Sequence, residues 1–176
     1  MNIFEKEKSN NRIIINVIIN ISVLIIILSA SLLVYNQIQV NKDLEISNIK
    51  LRKSLEEQKI KSKLTNIISA YTDAINKGDV EKIVPFYANK VNRFFLNTDV
   101  GIYDVKKEII QYTKRNKGAK IIFDTNTVTF NIQNLPYIAT IMKEYYTKDG
   151  EKKQIITEMR FDKEFKIVFI RDFYTK

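Results

Sequence analysis

Residues 137–173 read YIATIMKEYYTKDGEKKQIITEMRFDKEFKIVFIRDF. Apolar and polar side chains alternate through much of this stretch, and Ile, Val, Thr, Tyr and Phe are frequent, as in strands with one buried face. Asp149-Gly150 is typical of a hairpin turn, and residues 162–165 form a second polar turn. The same composition precedes the stretch at 121–132. We therefore predict four antiparallel strands, at 121–132, 137–147, 154–161 and 166–173.

Helices are predicted before these strands. Apolar residues between Leu64 and Ile75 recur at the spacing of a helix with one buried face, and Gly78 follows as its end. Asp79 is predicted to open a second short helix, with Pro85 at its end. A strand at 91–95 and a polar turn at 97–101 come next. A third helix follows, with Asp104 as its N-cap and Gly118 as its stop. Helices first and strands last indicate an α+β fold.

Three segments carry a resemblance to a known superfamily. Residues 86–95 (FYANKVNRFF) are similar to its FYAD-x-V-x-x-F segment, residues 105–112 (VKKEIIQY) to the helix that follows, and residues 169–173 (FIRDF) to its last strand. Residues 62–176 thus resemble the nuclear transport factor 2-like superfamily, which includes SnoaL-like and ketosteroid-isomerase-like proteins. The resemblance implies a cone-shaped domain of three helices packed on a curved antiparallel sheet. Its mouth would hold a small ligand or a protein partner, and the predicted ligand-binding lining is Tyr87, Phe94, Tyr112 and Tyr146.

Upstream, residues 13–35 read IIINVIINISVLIIILSASLLVY and contain no charge. About 20 such residues cross the hydrocarbon core as a helix, so we predict a transmembrane helix in contact with membrane lipid. A cleavable signal peptide is the alternative, because Ser29-Ala30-Ser31 resembles a cleavage site. The apolar run continues to Val34, and its length favours an uncleaved span. Basic residues cluster before the span, which predicts a cytoplasmic N-terminus and a C-terminal domain outside the cytoplasmic (inner) membrane.

Residues 36–62 contain neither Gly nor Pro and are predicted to form a helical stalk. Leu44, Asn48, Leu51 and Leu55 fit a heptad with Asn48 at an a position, so a solvated spacer helix and a short dimeric coiled coil both stay open. The chain then divides into a cytoplasmic N-terminus (1–12), the transmembrane helix (13–35), the stalk (36–62) and the globular domain (63–176).

Composition restricts the possible chemistry. The chain has no Cys and no His, which excludes disulfides, thiol nucleophiles and His-based catalysis. We expect no metal and no cofactor, and we favour a protein that is not an enzyme. A carboxylate base remains conceivable, and we expect its candidates to lie in ion pairs on the solvent face of the sheet. They are Asp99, Asp124, Glu144, Glu158 and Asp172. The net charge is +9, but no motif indicates nucleic-acid binding.

These features predict a membrane-anchored, non-catalytic binding or assembly module of the cell envelope, with a second copy or another envelope protein as partner. The assembly subunit of type IV secretion systems is one version, although residues 134–137 (NLPY) are a poor substitute for that family's Asn-Pro-x-Gly segment. The alternative is a small-molecule binder or a carboxylate-dependent isomerase, dehydratase or hydrolase that uses the cone cavity.

Overall fold

The structure, a computed structural model, describes residues 3–174, with the side chains of residues 15–124 and 126–174. The chain forms two compact units, Met1–Ser54 and Leu55–Lys176. Helix α1 (Ile3–Lys77) belongs to both. The side chains of residues 1–12, the predicted cytoplasmic segment, lie outside the described residues. These include the basic side chains before the span from which its orientation is predicted.

The first unit is the N-terminal part of α1. One helix in the described part of the chain is long and apolar enough to cross a membrane, and it is this one. Its serines are satisfied within the helix: Ser22, Ser29 and Ser31 donate to the carbonyl oxygens four residues earlier, at 2.9, 2.7 and 2.8 Å. An apolar environment tolerates a hydroxyl that is hydrogen-bonded in this way. The three serines are therefore compatible with a lipid environment.

In the second unit, α1 ends as the sequence predicts. Gly78, with φ of +65°, takes the left-handed conformation that closes a helix. Its N–H donates to Ile75 O at 2.9 Å, and the N–H of Asp79 donates to Ala74 O at 3.1 Å. Asp79 then caps α2 (Val80–Ile83) by accepting from the N–H of Lys82 at 3.2 Å. A 3₁₀ turn, Val84–Phe86, carries Pro85 and leads into the sheet.

Seven strands form one curved sheet. They are β1 (Lys90–Phe94), β2 (Asn97–Gly101), β3 (Lys120–Phe123), β4 (Thr129–Asn131), β5 (Tyr137–Tyr146), β6 (Lys152–Phe161) and β7 (Ile167–Tyr174). Helix α3 (Ile102–Arg115) lies between β2 and β3 in sequence. The strand order is β2-β1-β7-β6-β5-β3, and β4 also pairs with β5. The α+β class and the three helices are confirmed.

Four details of the prediction are wrong. The sheet is mixed, because β1 runs parallel to β7, with Phe94 opposite Ile170. Residues 97–101 form strand β2 instead of a turn, because they pair with β1 despite their polar composition. Helix α3 begins at Ile102, so Asp104 lies in its first turn and does not cap it. A 3₁₀ turn at Thr125–Thr127 divides the predicted strand 121–132 into β3 and β4.

The core lies between the helices and one face of the sheet. Leu64 and Ile68 of α1, Val105 of α3, and Ile141 and Phe161 of the sheet are each at most 2% exposed. On β6, every second residue from Ile155 to Phe161 is buried. Burial of this alternate set gives the sheet an inner face toward the helices and an outer face away from them.

Candidate functional site

Polar side chains interrupt the apolar inner face of the sheet at one place. The register places Thr157 of β6 opposite Ile141 of β5 and Asp172 of β7, and Lys143 is the next inward residue of β5. Thr157 Oγ1 lies 2.5 Å from Asp172 Oδ1, to which it donates, and Lys143 Nζ lies 3.2 Å from the same oxygen. The side chains of Lys143 and Asp172 are only 14% and 17% exposed. We call Lys143, Thr157 and Asp172 the inner polar cluster.

Three tyrosines lie near enough to this cluster for the charge of Asp172 to act on them. Tyr71 of α1 and Tyr87 share a hydrogen bond of 2.6 Å between their hydroxyl oxygens, and both residues are buried. Burial, which disfavours the tyrosinate, raises the pKa of Tyr71, Tyr87 and Tyr112, and the negative charge of Asp172 contributes to each increase. All three tyrosines therefore stay protonated, as neutral hydroxyls, well above neutral pH.

A small cavity of about 120 Å³ lies beside Tyr112, where α1 and α3 end, and the residues of the inner polar cluster do not line it. Asn76 of α1, Tyr112 and Asn116 at the end of α3, and Tyr145 of β5 contribute polar atoms to its lining. Tyr145 Oη donates to Asn116 Oδ1 at 2.9 Å. The volume corresponds to about four waters, whereas ligand pockets are typically about 300–1,000 Å³. Between the helices and the sheet, buried side chains such as Leu64, Ile68 and Phe161 occupy the interior.

The structure brings together some of the predicted lining residues and separates one. Tyr87 and Phe94 are 4% and 5% exposed, and their rings pack edge to face with centroids 5.5 Å apart. Tyr112 lines the cavity. Tyr146 follows the inward residue Tyr145 and lies on the outer face, where its hydroxyl donates to Glu144 Oε2 at 2.8 Å. That face is outside the cone, so Tyr146 is not part of the same site.

The five carboxylates do not share one environment. Asp99 is 74% exposed, and Asp124 is exposed and accepts from the N–H of Asn126. Glu144 and Glu158 lie on the outer face, paired with Lys152 and Arg160. The hydrogen bond from Lys152, assisted by that from Tyr146, lowers the pKa of Glu144. The expectation of a solvent-facing ion pair is wrong for Asp172, which faces the helices.

Sequence reasoning missed Lys143, Thr157 and Tyr71 as members of this site. Lys143 was detectable: Ala139, Ile141 and Lys143 share a face in strict alternation, so a lysine occupies a position where an apolar residue is expected. Among the described residues, no three carboxylate side chains converge to hold a metal ion. What the arrangement offers chemically is a carboxylate held by an ammonium and a hydroxyl, with neutral tyrosines as hydrogen-bond donors.

The outer face carries a second feature. Met142, Ile156 and Phe173 lie side by side on β5, β6 and β7, and Phe173 is 37% exposed. Four residues away along the strands, beyond the row of Thr140, Glu158 and Arg171, Ile138 and Phe169 flank Arg160, whose guanidinium lies 4.3 Å from the centre of the Phe169 ring. Arg171 stacks on Phe173 at 4.6 Å in the same manner. We call Ile138, Met142, Ile156, Phe169 and Phe173 the outer apolar patch; aromatic residues with stacked arginines are enriched in protein interfaces.

No protein-family model matches the sequence, and no curated protein matches it. Solved structures do match. A nuclear transport factor 2-like protein of unknown function from Pseudomonas putida superposes with a TM-score of 0.55 at 11% identity, covering 65% of this chain and 86% of its own. A proposed isomerase of the SnoaL-like family from Agrobacterium tumefaciens gives 0.50 at 14% identity, covering 63% of this chain and 96% of its own.

A protein of unknown function with a cystatin-like fold from Methylobium petroleophilum gives a TM-score of 0.51 at 16% identity, covering 66% of this chain and 78% of its own. Identities this low establish the fold alone. The C-terminal part of the chain has the nuclear transport factor 2-like fold, as its sequence resemblance predicts.

Proposed function

We propose that this protein is a single-pass membrane protein whose nuclear transport factor 2-like domain acts outside the cytoplasm as a binding or assembly module. The observation that carries the proposal is the apolar stretch of α1: the residues from Ile15 to Tyr35 are exposed throughout and uncharged. Apolar surface of this extent is unfavourable in water and favourable in the hydrocarbon core of a membrane. In this proposal 13–35 is the anchor, 36–62 a helical stalk and 63–176 the presented domain.

Retention of the anchor separates this proposal from a cleaved signal sequence. The test is the intact mass of the protein purified from membranes, combined with extraction by alkaline carbonate. An anchored protein keeps residues 1–35 and stays in the carbonate-resistant pellet. A mature chain that begins near Ser31, recovered in the soluble fraction, would contradict the anchor.

The cone and the outer face together support a binding role. A cavity of about 120 Å³ leaves little room for a typical ligand. The outer apolar patch, in contrast, offers apolar side chains on three adjacent strands at a partly exposed surface. A protein partner, either a second copy or another envelope protein, fits such a surface better than a small molecule does.

Site-specific photo-crosslinking tests this role. A photoreactive amino acid at Ile156 or Phe173, in the outer apolar patch, should give one discrete protein adduct in the native membrane. The same amino acid at Lys148 or Glu164, in exposed turns at the ends of strands, is the matched control and should give none. Absence of an adduct at both patch positions would count against a partner on this face.

A carboxylate-dependent enzyme is the second candidate, favoured by one observation. Asp172 lies inside the cone, where it contacts Lys143 and Thr157 and its charge acts on three neutral tyrosines. The SnoaL-like neighbour is itself a proposed isomerase. The variants Asp172→Asn and Tyr112→Phe discriminate between the two functions. A binding module keeps its photo-adduct in both variants, whereas an enzyme loses turnover of its substrate in at least the first.

A further inference from the structure

Helix α1 carries a regular seam that extends from the membrane segment into the stalk. Counting from Asn48 as an a position, alternate steps of three and four residues define the a and d positions of the first unit. We call the described members the heptad seam. They are Asn16, Asn20, Val23, Ile27, Ala30, Val34, Gln37, Asn41, Leu44, Asn48 and Leu51.

Most side-chain amides in this part of the helix lie on the heptad seam. Residues 13–54 contain seven Asn and Gln residues, and five of them lie on the seam; Asn36 and Gln39 are the exceptions. Because a and d make up two-sevenths of the positions, about two would be expected by chance. The remaining members are Val, Ile, Leu and Ala. Amides among aliphatic a and d residues specify the register of a helix pair, because each amide is satisfied only opposite another polar group.

Charged residues avoid the seam. Between residues 36 and 54 there are six, and none occupies an a, d or g position: Lys42, Asp43, Glu45, Lys50, Arg52 and Lys53. In a parallel pair each g residue faces an e residue of the partner helix. The g residues are Val40, Ser47 and Ser54, all neutral, so no like-charge contact opposes pairing.

A single chain leaves the seam uncovered. Ile27, Leu44 and Leu51 are 56%, 56% and 59% exposed. An amide inside the apolar span lacks hydrogen-bond partners in lipid, and a second amide at the same depth supplies them. Copies of one chain insert with the same topology, so their helices lie parallel and Asn16 and Asn20 each meet their own counterpart.

We propose that the occupant of this surface is a second copy of the chain, paired with the first in parallel and in register along the heptad seam. Pairing then links amides at two depths of the span and three positions of the stalk. The membrane half of the seam rests on the proposed function, whereas the half from Gln37 to Leu51 does not. A heptad of this kind also implies a left-handed supercoil, since a straight helix drifts by about 20° per heptad.

Disulfide mapping tests the pairing directly, because the natural chain has no cysteine. Single cysteines are introduced into the full chain in native membranes at d positions, as Ala30→Cys, Leu44→Cys and Leu51→Cys. Matched controls two residues later, at f positions, are Leu32→Cys, Ile46→Cys and Lys53→Cys. After mild oxidation the dimer fraction should be roughly tenfold higher in the d series, because d side chains face the partner helix and f side chains point away from it. Equal yields in the two series, or no disulfide in either, would overturn the proposal.

Charge insertion gives a second readout that does not depend on oxidation. Leu44→Lys combined with Leu51→Lys should convert the dimer to monomer, as measured by mass photometry in detergent. Ile46→Lys combined with Ile49→Lys places the same charges off the seam and should leave the dimer intact. Both pairs retaining the dimer would contradict a seam interface.

The membrane anchor and the heptad seam can be contradicted independently of each other. Carbonate extraction of the same cysteine variants reports on the anchor alone. If the protein leaves the membrane fraction while Leu44→Cys and Leu51→Cys still crosslink, the span is wrong and the stalk half of the seam stands. If the protein stays in the membrane and the d and f series crosslink equally, the seam is wrong and the anchor stands.

Discussion

Lys143 Nζ lies 3.2 Å from Asp172 Oδ1 on the helix-facing side of the sheet, where the two side chains are 14% and 17% exposed. Thr157 completes the inner polar cluster by donating to the same carboxylate oxygen. Removing two charges from water is costly unless they compensate each other. Each side chain is therefore tolerated inside the fold only while the other is present. The same two groups are the ones in the cone best suited to acid–base chemistry.

Loss of one partner should expose this dependence. Asp172→Asn leaves the ammonium of Lys143 without its counter-charge, and we expect the free energy of unfolding to fall by about 1–3 kcal/mol. The double variant Lys143→Met with Asp172→Leu should lower the free energy of unfolding by less than the sum of Lys143→Met alone and Asp172→Leu alone. Urea unfolding of the full chain in mild detergent measures both. Additive effects in this cycle would show that the two side chains do not interact.

Lys152 provides a comparison on the outer face. It pairs with Glu144, but its side chain is 48% exposed. Lys152→Met should change the free energy of unfolding by less than about 0.5 kcal/mol, because exposed ion pairs are weak.

The buried hydroxyl pair makes a second cycle possible. The hydroxyl groups of Tyr71 and Tyr87 are hydrogen-bonded to each other, with 2.6 Å between their oxygens. Tyr71→Phe or Tyr87→Phe therefore removes this bond and leaves the remaining hydroxyl without that partner. Each single variant should cost about 1 kcal/mol, and the double variant should cost less than their sum, because both polar groups are then removed. Tyr103→Phe, at a position 83% exposed, is the neutral control. A double variant as costly as the two single variants combined would contradict mutual satisfaction.

Alkaline pH should destabilise the domain through the same tyrosines. Burial raises the pKa of Tyr71, Tyr87 and Tyr112 above the ordinary value of 10.0 that they regain on unfolding. A folded-state pKa above the unfolded one gives stability that is fully present below about pH 10 and is lost as pH rises beyond it. Tyrosinate absorbance should show three of the nine tyrosines ionising only together with unfolding, followed by circular dichroism. Ionisation of Tyr71, Tyr87 and Tyr112 while the domain stays folded would contradict their burial.

Local signals in the sequence predicted where α1 ends, where α2 begins and the last three strands. Gly78 and Asp79 adopt the stop and cap conformations that their residue types favour, and β5 and β6 follow their alternation. Strand β2 was missed because its residues are mainly polar and it forms only by pairing with β1. The parallel contact between β1 and β7 joins segments about 75 residues apart, which no local pattern encodes.

The site was less predictable for a specific geometric reason. Ile167 and Ile170 are both fully buried although they are three residues apart, because the register of β7 shifts at Arg160/Phe161 of β6. Simple alternation from Ile167 places Asp172 on the outer face. The shift, a β-bulge, moves it to the inner face beside Lys143. Asp172 could be named among five candidates from the sequence, but its environment depended on one extra residue in the ladder.

Substituted-cysteine labelling in intact bacterial cells tests most directly whether the domain is anchored and presented outside the cytoplasm. The cysteine-free chain receives either Ser9→Cys, before the span, or Lys148→Cys, in the exposed turn between β5 and β6. After removal of any outer membrane, a membrane-impermeant maleimide should label the Lys148→Cys protein at once and the Ser9→Cys protein only after lysis. Labelling of Ser9→Cys from outside with protection of Lys148→Cys, or protection of both until lysis, would contradict the account.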